Sequence, residues 1–227
     1  VRRRVPVIAG TGSNSTDEAI ALTKHAKQAG ADAALLITPY YNKPTQEGLY
    51  RHYRAIGEAV DLPLVLYNIP GRTGVNMLPA TIARLTALPT IVGVKEGSGS
   101  VQQASDLVQM CGDRLTVLAG DDALTLPMMA VGGKGVITVT ANIMPAEMAA
   151  LVKAFDEGKI AEARRIHFKL SPLFAALFFE TNPIPVKEAL SLMGKIDQEL
   201  RLPLCPMAQD TREKLIQALK DASLIAW

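Results

Sequence analysis

The sequence is poor in cysteine and histidine, and it has no long uninterrupted apolar stretch. Cys111 and Cys205 lie far apart and outside any metal-ligand spacing, and the three histidines are scattered. We therefore predict no metal site and two reduced thiols in a cytoplasmic protein. Asp, Lys, Gly or Pro interrupts every apolar run before the roughly 18 residues that a membrane span requires, so we predict no membrane partner.

The chain also has little excess charge of either sign. Its formal net charge is +2, which is too small to indicate a nucleic acid or an anionic membrane as the partner. Hydrophobic residues make up 48% of the 227 residues, which is enough to form a sizeable core. These values are typical of a globular protein.

Short apolar runs rich in β-branched residues recur along the first two thirds of the chain, about every 25 to 30 residues. They occupy residues 5–10, 31–39, 62–70, 90–97, 115–122 and 134–141. Runs that are apolar throughout are typical of strands covered on both faces, as in parallel sheets. Helical patterns lie between them, for example from Ser15, Thr16 or Asp17 to Ala29 and at 78–88, 101–111 and 145–157.

This alternation predicts either a doubly wound sheet or a (β/α)8 TIM barrel. The segment AGTGSNST (9–16) lacks the glycine spacing of a dinucleotide-binding turn. Tyrosine, lysine, aspartate and threonine follow successive runs where each predicted strand ends, which is where a barrel builds its active site. We therefore predict a TIM-barrel domain at 1–158 that lacks its first two βα units, and a C-terminal helical domain at 159–227.

The segment IVGVKEGSGS (91–100) places Lys95 at the end of an otherwise buried strand. A lysine amine becomes nucleophilic when a partly desolvated pocket disfavours its ammonium form, and such amines form Schiff bases with carbonyl substrates. The alternative is that Lys95 only caps the strand and pairs with Glu96 or another acid at the rim. The Schiff-base interpretation is favoured by the position of Lys95 at a strand end, by the apolar residues that precede it and by a neighbouring tyrosine.

Three further residues accompany this lysine. Tyr67 ends the preceding predicted strand and could pass protons to and from a carbinolamine, although a lone tyrosine is a poor base. Tyr41 is a candidate for a hydroxyl relay with it. Arg72, flanked by glycines in NIPGRTG, could hold a substrate carboxylate in bidentate fashion or be an ordinary exposed turn residue.

Several motifs resemble the dihydrodipicolinate synthase family. They are TPYYNKPTQEGLY (38–50), LYNIPGRTG (66–74), GVKEGSG (93–99), AGDD (119–122), GVITVTAN (135–142) and NPIPVK (182–187). The resemblance implies a class I aldolase-like lyase of lysine and diaminopimelate biosynthesis that needs no metal or organic cofactor. Pyruvate and L-aspartate 4-semialdehyde would be its substrates.

The resemblance also implies roles for individual residues. Lys95 would form the Schiff base, Tyr67 would relay protons, and Tyr41 would enter the active site of a neighbouring subunit. Arg72 would bind the carboxylate of the aldehyde, and Ile137 would contribute its backbone carbonyl. The assembly would be a homotetramer built as a dimer of dimers.

Regulation and substrate identity are less firmly fixed by these motifs. Asn14, Glu18 and Tyr40 match positions that bind inhibitory lysine in some members of the family, so L-lysine is a candidate feedback inhibitor. The alternatives are a sister pyruvate-dependent lyase of sugar acids, whose members usually lack the equivalent of Arg72, and a non-catalytic paralogue that binds pyruvate or an amino acid. Because the family's GTTGE-type segment has no counterpart here, we expect a gene product longer by about 60 residues, two βα units.

Overall fold

The computed structural model describes residues 1–226 and divides them into two compact units. The first unit is Val1–Ile137, and the second begins at Thr138. Because compactness alone does not define a fold domain, the predicted boundary after residue 158 stays a prediction. No helix among the described residues is both long enough and apolar enough to cross a membrane.

A parallel sheet forms the framework of the first unit. Within the described residues it has five strands in the order β1-β2-β3-β4-β5. They are β1 (Ile8–Gly10), β2 (Ala33–Ile37), β3 (Leu64–Asn68), β4 (Ile91–Glu96) and β5 (Thr116–Ala119). Strands that neighbour each other in chain order form a barrel wall, whereas a doubly wound sheet reverses its order at a switch point. The order therefore favours the barrel over the doubly wound sheet.

Helices connect successive strands, as the alternation predicts. They are α1 (Thr16–Gln28), α2 (Gln46–Ala59), α3 (Pro70–Thr73), α4 (Pro79–Leu85), α5 (Val101–Cys111) and α6 (Thr125–Ala130). The side chains of Ser15 and Ser100 cap α1 and α5 by accepting hydrogen bonds from the amides of Glu18 and Gln103. The predicted segments do not include α2, although Thr45 caps it in the same way.

The sixth predicted strand, at 134–141, is much shorter than predicted. Val136 forms an isolated bridge to Ala119, and three backbone hydrogen bonds join residues 134–137 to β5. The Lys134 amide donates to Val117 at 2.8 Å, the Ala119 amide donates to Gly135 at 2.8 Å, and the Ile137 amide donates to Ala119 at 2.9 Å. The Thr138 hydroxyl then accepts from the Ala141 amide, and a 3-10 turn follows at Thr140–Asn142. This local side-chain hydrogen bond competes with extended pairing and turns the chain.

Side chains along β3 and β4 alternate between two environments, as the pleat requires. Leu64 and Leu66 of β3 and Val94 of β4 are buried in the main hydrophobic core together with Tyr53 of α2 and Ile82 of α4. The face of the sheet that carries these side chains is therefore the face covered by helices. The intervening residues of β3 and β4 have their side chains on the opposite face.

The second unit is helical. Its α-helices within the described residues are α7 (Pro145–Asp156), α8 (Ile160–Ala176), α9 (Ile184–Leu192) and α10 (Gln209–Asp221). The last three lie within the predicted helical domain at 159–227, and α7 ends one residue before the end of the helical pattern predicted at 145–157. Differences of a few residues at helix ends are ordinary because the ends fray.

Candidate active site

The pairing of β3 with β4 brings Tyr67 and Lys95 together. The two residues are directly opposite each other in the parallel ladder. The Lys95 Nζ atom lies 4.2 Å from the centroid of the Tyr67 ring, within the range of a cation–π contact. Both side chains are half-buried. An amine and a phenol therefore share one partly desolvated position at the carboxyl ends of the strands.

The surroundings of Lys95 lower the pKa of its ammonium group below the ordinary value. Burial is the largest cause, because removing the group from water disfavours its charged form. The carboxylate of Asp122 acts in the opposite direction and raises this pKa, while the guanidinium of Arg72 lowers it. Burial decides the direction, so more of the amine is neutral, and hence nucleophilic, than in an exposed lysine.

The pKa of the Tyr67 phenol is shifted so that the group keeps its proton. Burial raises the pKa of its phenol above the ordinary value, and the nearby Arg72 guanidinium opposes this effect only in part. The hydroxyl is thus protonated near neutral pH. In this state it can donate a hydrogen bond or a proton, but it is not a free phenolate base.

Arg72 lies on α3, a single helical turn that follows β3. Pro70 starts this turn, and Gly74 ends it in the left-handed conformation at φ 74°, which glycine adopts without steric cost. The hydroxyl of Thr73 fixes the turn by donating to the Ile69 carbonyl at 3.0 Å, and it accepts from the hydroxyl of Thr38, the residue after β2, at 3.2 Å. An exposed arginine is thereby carried by a backbone that is itself well anchored.

Glu96 does not pair with Lys95 among the described residues, so this half of the alternative interpretation of the lysine is wrong. The other half, an interaction with another acid at the rim, stays open, because the Asp122 carboxylate acts on the Lys95 pKa. The Glu96 side chain is 2% exposed. It accepts hydrogen bonds from the Asn68 and Gln103 side-chain amides and from the Ser98 backbone amide. The carboxylate and the amine follow each other along β4 and therefore lie on opposite faces of the sheet.

Two of the predicted site residues lie apart from this pair. Tyr41 is 88% exposed and has φ 70°, and in the described part of the chain it forms no hydrogen bond to Tyr67. Ile137 is half-buried beyond β5, where its amide bonds to Ala119. One protomer thus brings together Lys95, Tyr67 and Arg72, whereas the roles of Tyr41 and Ile137 stay predictions.

The three residues predicted for a lysine-binding site lie at the start of α1 and after β2. The Asn14 carbonyl accepts from the Asn42 side-chain amide at 2.9 Å, which joins these two segments. Glu18 accepts a hydrogen bond from the Ser13 hydroxyl, and Tyr40 is 41% exposed. The segments are therefore neighbours, and their ligand stays a prediction.

Asp122, Asn76 and Gln103 were not among the predicted site residues. The motif AGDD at the end of β5 could have indicated Asp122, because β5 is the strand next to Lys95. Asn76 and Gln103, in contrast, carry no such signal, since amides on loops and helices are usually exposed. Gln103 is buried against Glu96 and half-buried Asn76 bonds to Gln103, so both environments depend on the position of α5.

Comparisons with known proteins give a consistent result. Residues 1–222 match the model of the dihydrodipicolinate synthetase family. The 4-hydroxy-tetrahydrodipicolinate synthase of Thermodesulfovibrio yellowstonii is 61% identical over 225 residues, which are 99% of this chain and 77% of that protein. The chain therefore spans about three quarters of the length of this relative.

Two solved structures are also similar. The dihydrodipicolinate synthase of Acinetobacter baumannii, described as chloride-inhibited and complexed with pyruvate, matches at 52% identity with a TM-score of 0.97, covering 99% of this chain and 77% of that one. The enzyme of Cyanidioschyzon merolae, described with lysine bound, matches at 44% identity with a TM-score of 0.94, covering 97% and 75%. The first unit accordingly has the barrel architecture of these proteins.

The opposing charges around Lys95 predict opposite shifts in two variants. Asp122→Asn removes a charge that favours the ammonium form and should lower the pKa of Lys95, whereas Arg72→Gln should raise it. The measurement is the pH dependence of acetylation of Lys95 by a small neutral reagent, followed by peptide mass spectrometry. Asp61→Asn, at a fully exposed position, is the control and should leave the profile unchanged. Shifts of the same sign in both variants would contradict this electrostatic description.

Proposed function

Because the chain belongs to the dihydrodipicolinate synthetase family, we propose that it condenses pyruvate with L-aspartate 4-semialdehyde, as 4-hydroxy-tetrahydrodipicolinate synthases do. The observation that carries the proposal is the desolvated amine of Lys95 beside the phenol of Tyr67. Schiff-base chemistry needs a neutral amine and a proton donor at one place. The pair supplies both.

The neutral amine of Lys95 attacks the keto carbon of pyruvate and forms a carbinolamine. Protonation of its hydroxyl and loss of water leave an iminium, which loses a methyl proton to become an enamine. The enamine carbon attacks the aldehyde carbon of the second substrate and forms the new carbon–carbon bond. The amino group of that substrate then displaces Lys95 from the imine carbon, which closes the ring and frees the lysine.

Tyr67 is suited to the proton transfers in this sequence. Its phenol is protonated near neutral pH, so it can protonate the departing hydroxyl of the carbinolamine. The proton must then be replaced, which a second hydroxyl group can do. We assign that role to Tyr41 of a neighbouring subunit, because Tyr41 extends into solvent with a strained positive φ in its own protomer.

Arg72 and Ile137 are assigned to the substrates. The exposed guanidinium of Arg72 is close enough to affect the pKa of Lys95 and of Tyr67, so a carboxylate bound to it would lie near both. The carbonyl of Ile137 would face the Schiff base from the far side of β5. The assembly that these roles require is a homotetramer built as a dimer of dimers.

We also propose inhibition by L-lysine and a cytoplasmic location. Asn14, Glu18 and Tyr40 lie on neighbouring segments and offer a carbonyl, a carboxylate and an aromatic ring to an amino acid. A related protein has been solved with lysine bound. Cys111 and Cys205 are both free, as is usual in a reducing compartment.

Trapping with borohydride tests the Schiff base directly. Reduction in the presence of pyruvate should add one pyruvate-derived group to the peptide that contains Lys95, because hydride converts the iminium into a stable secondary amine. Lys95→Arg should abolish this adduct and turnover, since a guanidinium stays protonated. Lys153→Arg, at an exposed position on α7, is the control and should trap normally. An adduct elsewhere in a folded wild-type chain would refute the assignment.

Arg72→Lys separates the proposed reaction from that of a sister lyase acting on sugar acids. A bidentate guanidinium–carboxylate contact is worth about 1.5–3 kcal/mol, so its loss should lower kcat/KM for L-aspartate 4-semialdehyde roughly 10- to 100-fold. The trapping of pyruvate should persist. Steady-state kinetics with varied semialdehyde measure this effect. Turnover of a sugar acid in place of the semialdehyde would instead support the sister activity.

Lysine titration tests the proposed regulation. L-lysine in the millimolar range should reduce the rate, and Glu18→Gln should raise the concentration required by about tenfold, because one charged hydrogen bond to the effector's amine is lost. Glu162→Gln, which removes an exposed carboxylate of the second unit, should respond as the wild type does. A rate that stays constant throughout the titration would remove lysine from the proposal.

A further inference from the structure

Glu96 is a buried carboxylate without a cation. Its side chain is 2% exposed, and among the described residues it forms no ion pair. Three neutral donors satisfy it instead: Ser98 N at 2.6 Å, Gln103 Nε2 at 2.9 Å and Asn68 Nδ2 at 3.1 Å. Burying an unpaired charge is costly unless it is fully hydrogen-bonded, so this arrangement needs a physical explanation.

The three donors come from three different elements. Asn68 ends β3, Ser98 lies in the turn after β4, and Gln103 lies in the first turn of α5. The N-terminus of α5 also carries partial positive charge, which favours an anion nearby. A single carboxylate thereby joins two neighbouring strands to the helix that follows them.

The same network extends to the segment after Arg72. The side-chain Oδ1 of Asn68 accepts from the backbone amide of Met77 at 2.9 Å, and its Nδ2 also donates to Asn76 Oδ1 at 2.7 Å. Asn76 in turn donates to Gln103 Oε1 at 2.9 Å. The side chains of Asn68 and Gln103 therefore bond both to Glu96 and to residues 76 and 77, which follow Arg72.

The position of this network relates it to the chemistry. Asn68 and Glu96 are opposite each other in the ladder, one residue after the opposed pair of Tyr67 and Lys95. Successive side chains of a strand face opposite sides, so the network contacts the ends of β3 and β4 from the face of the sheet opposite to Tyr67 and Lys95. A shift of the network would move the amine and the phenol together.

We propose that Glu96 is a positioning residue for the Schiff-base lysine. Its carboxylate fixes the ends of β3 and β4 and the base of the Arg72 segment, so that Lys95, Tyr67 and Arg72 keep their relative positions through the reaction. The inference rests on the proposed function. Misplacement of reacting groups by about 1 Å can cost on the order of 100-fold in rate, so a role of this kind is measurable.

The polarity of the network indicates how to test it. All three groups that face Glu96 donate hydrogen bonds, so the amide nitrogen of Glu96→Gln must face at least one other donor, while the side-chain volume is unchanged. The double variant Glu96→Gln with Gln103→Glu exchanges the carboxylate and the amide. It keeps one carboxylate within the network and restores a donor–acceptor match between the two positions.

The experiment compares kcat, the KM for pyruvate, borohydride trapping and thermal unfolding in the wild type and these variants. Glu96→Gln should lower kcat about 10- to 100-fold with little change in the KM, and the double variant should regain at least about threefold of this loss. Gln103→Met, which removes one donor at similar volume, should lie between the wild type and Glu96→Gln. Glu58→Gln, on the exposed face of α2, is the control for loss of a carboxylate.

Each outcome decides a separate question. A folded Glu96→Gln protein with wild-type kcat, or one that loses only thermal stability, would overturn the positioning role. If Glu96→Gln does not fold, Gln103→Met decides by the same criteria. These measurements use the longer gene product that is predicted from the sequence. If that protein folds but neither traps pyruvate nor turns over, the proposed function itself is overturned, and the positioning role with it.

Discussion

The parallel register between β3 and β4 is the constraint on which the candidate site depends. It sets Tyr67 opposite Lys95 and, one residue later, Asn68 opposite Glu96. The pleat then divides these four residues between the two faces of the sheet. A slip of β4 by one residue would set Tyr67 opposite Glu96 or Val94 and would turn β4 over, placing the amine among the helices and the carboxylate in the site. Chemistry and its support are therefore fixed by one feature of the backbone.

The charges around Lys95 meet two requirements that oppose each other. In the proposed reaction the amine must be neutral to attack pyruvate, and burial together with Arg72 favours that state. The iminium that follows is a cation, and burial alone would disfavour it as well. Asp122, buried and close enough to raise the lysine pKa, favours that cation. A partly buried amine with one carboxylate in range can therefore be nucleophilic at the start and still tolerate its charged intermediate.

The sequence was sufficient to predict the features that depend on local pattern. The apolar runs located β1 to β5, and the position of Lys95 and Tyr67 at strand ends predicted that they would meet. The extent of the sixth run was not predictable in this way, because Thr138 turns the chain through a hydrogen bond that hydrophobicity does not encode. The burial of Gln103 was likewise invisible, since its environment comes from packing with residues distant in sequence.

Arg72 shows why the site combines two kinds of support. Lys95 and Tyr67 lie on strands, whose positions are fixed by ladder hydrogen bonds, whereas Arg72 lies on a short turn at the rim. Such a turn would be mobile without anchors, but Thr73 is bonded to Thr38 on one side and Asn68 closes the segment at Met77 on the other. The groups proposed to react and the group proposed to bind the substrate carboxylate thus belong to separate backbone segments. Because Thr38 and Asn68 hold the two ends of the segment that carries Arg72, a change of sequence between these anchors need not disturb the geometry of the lysine and the tyrosine.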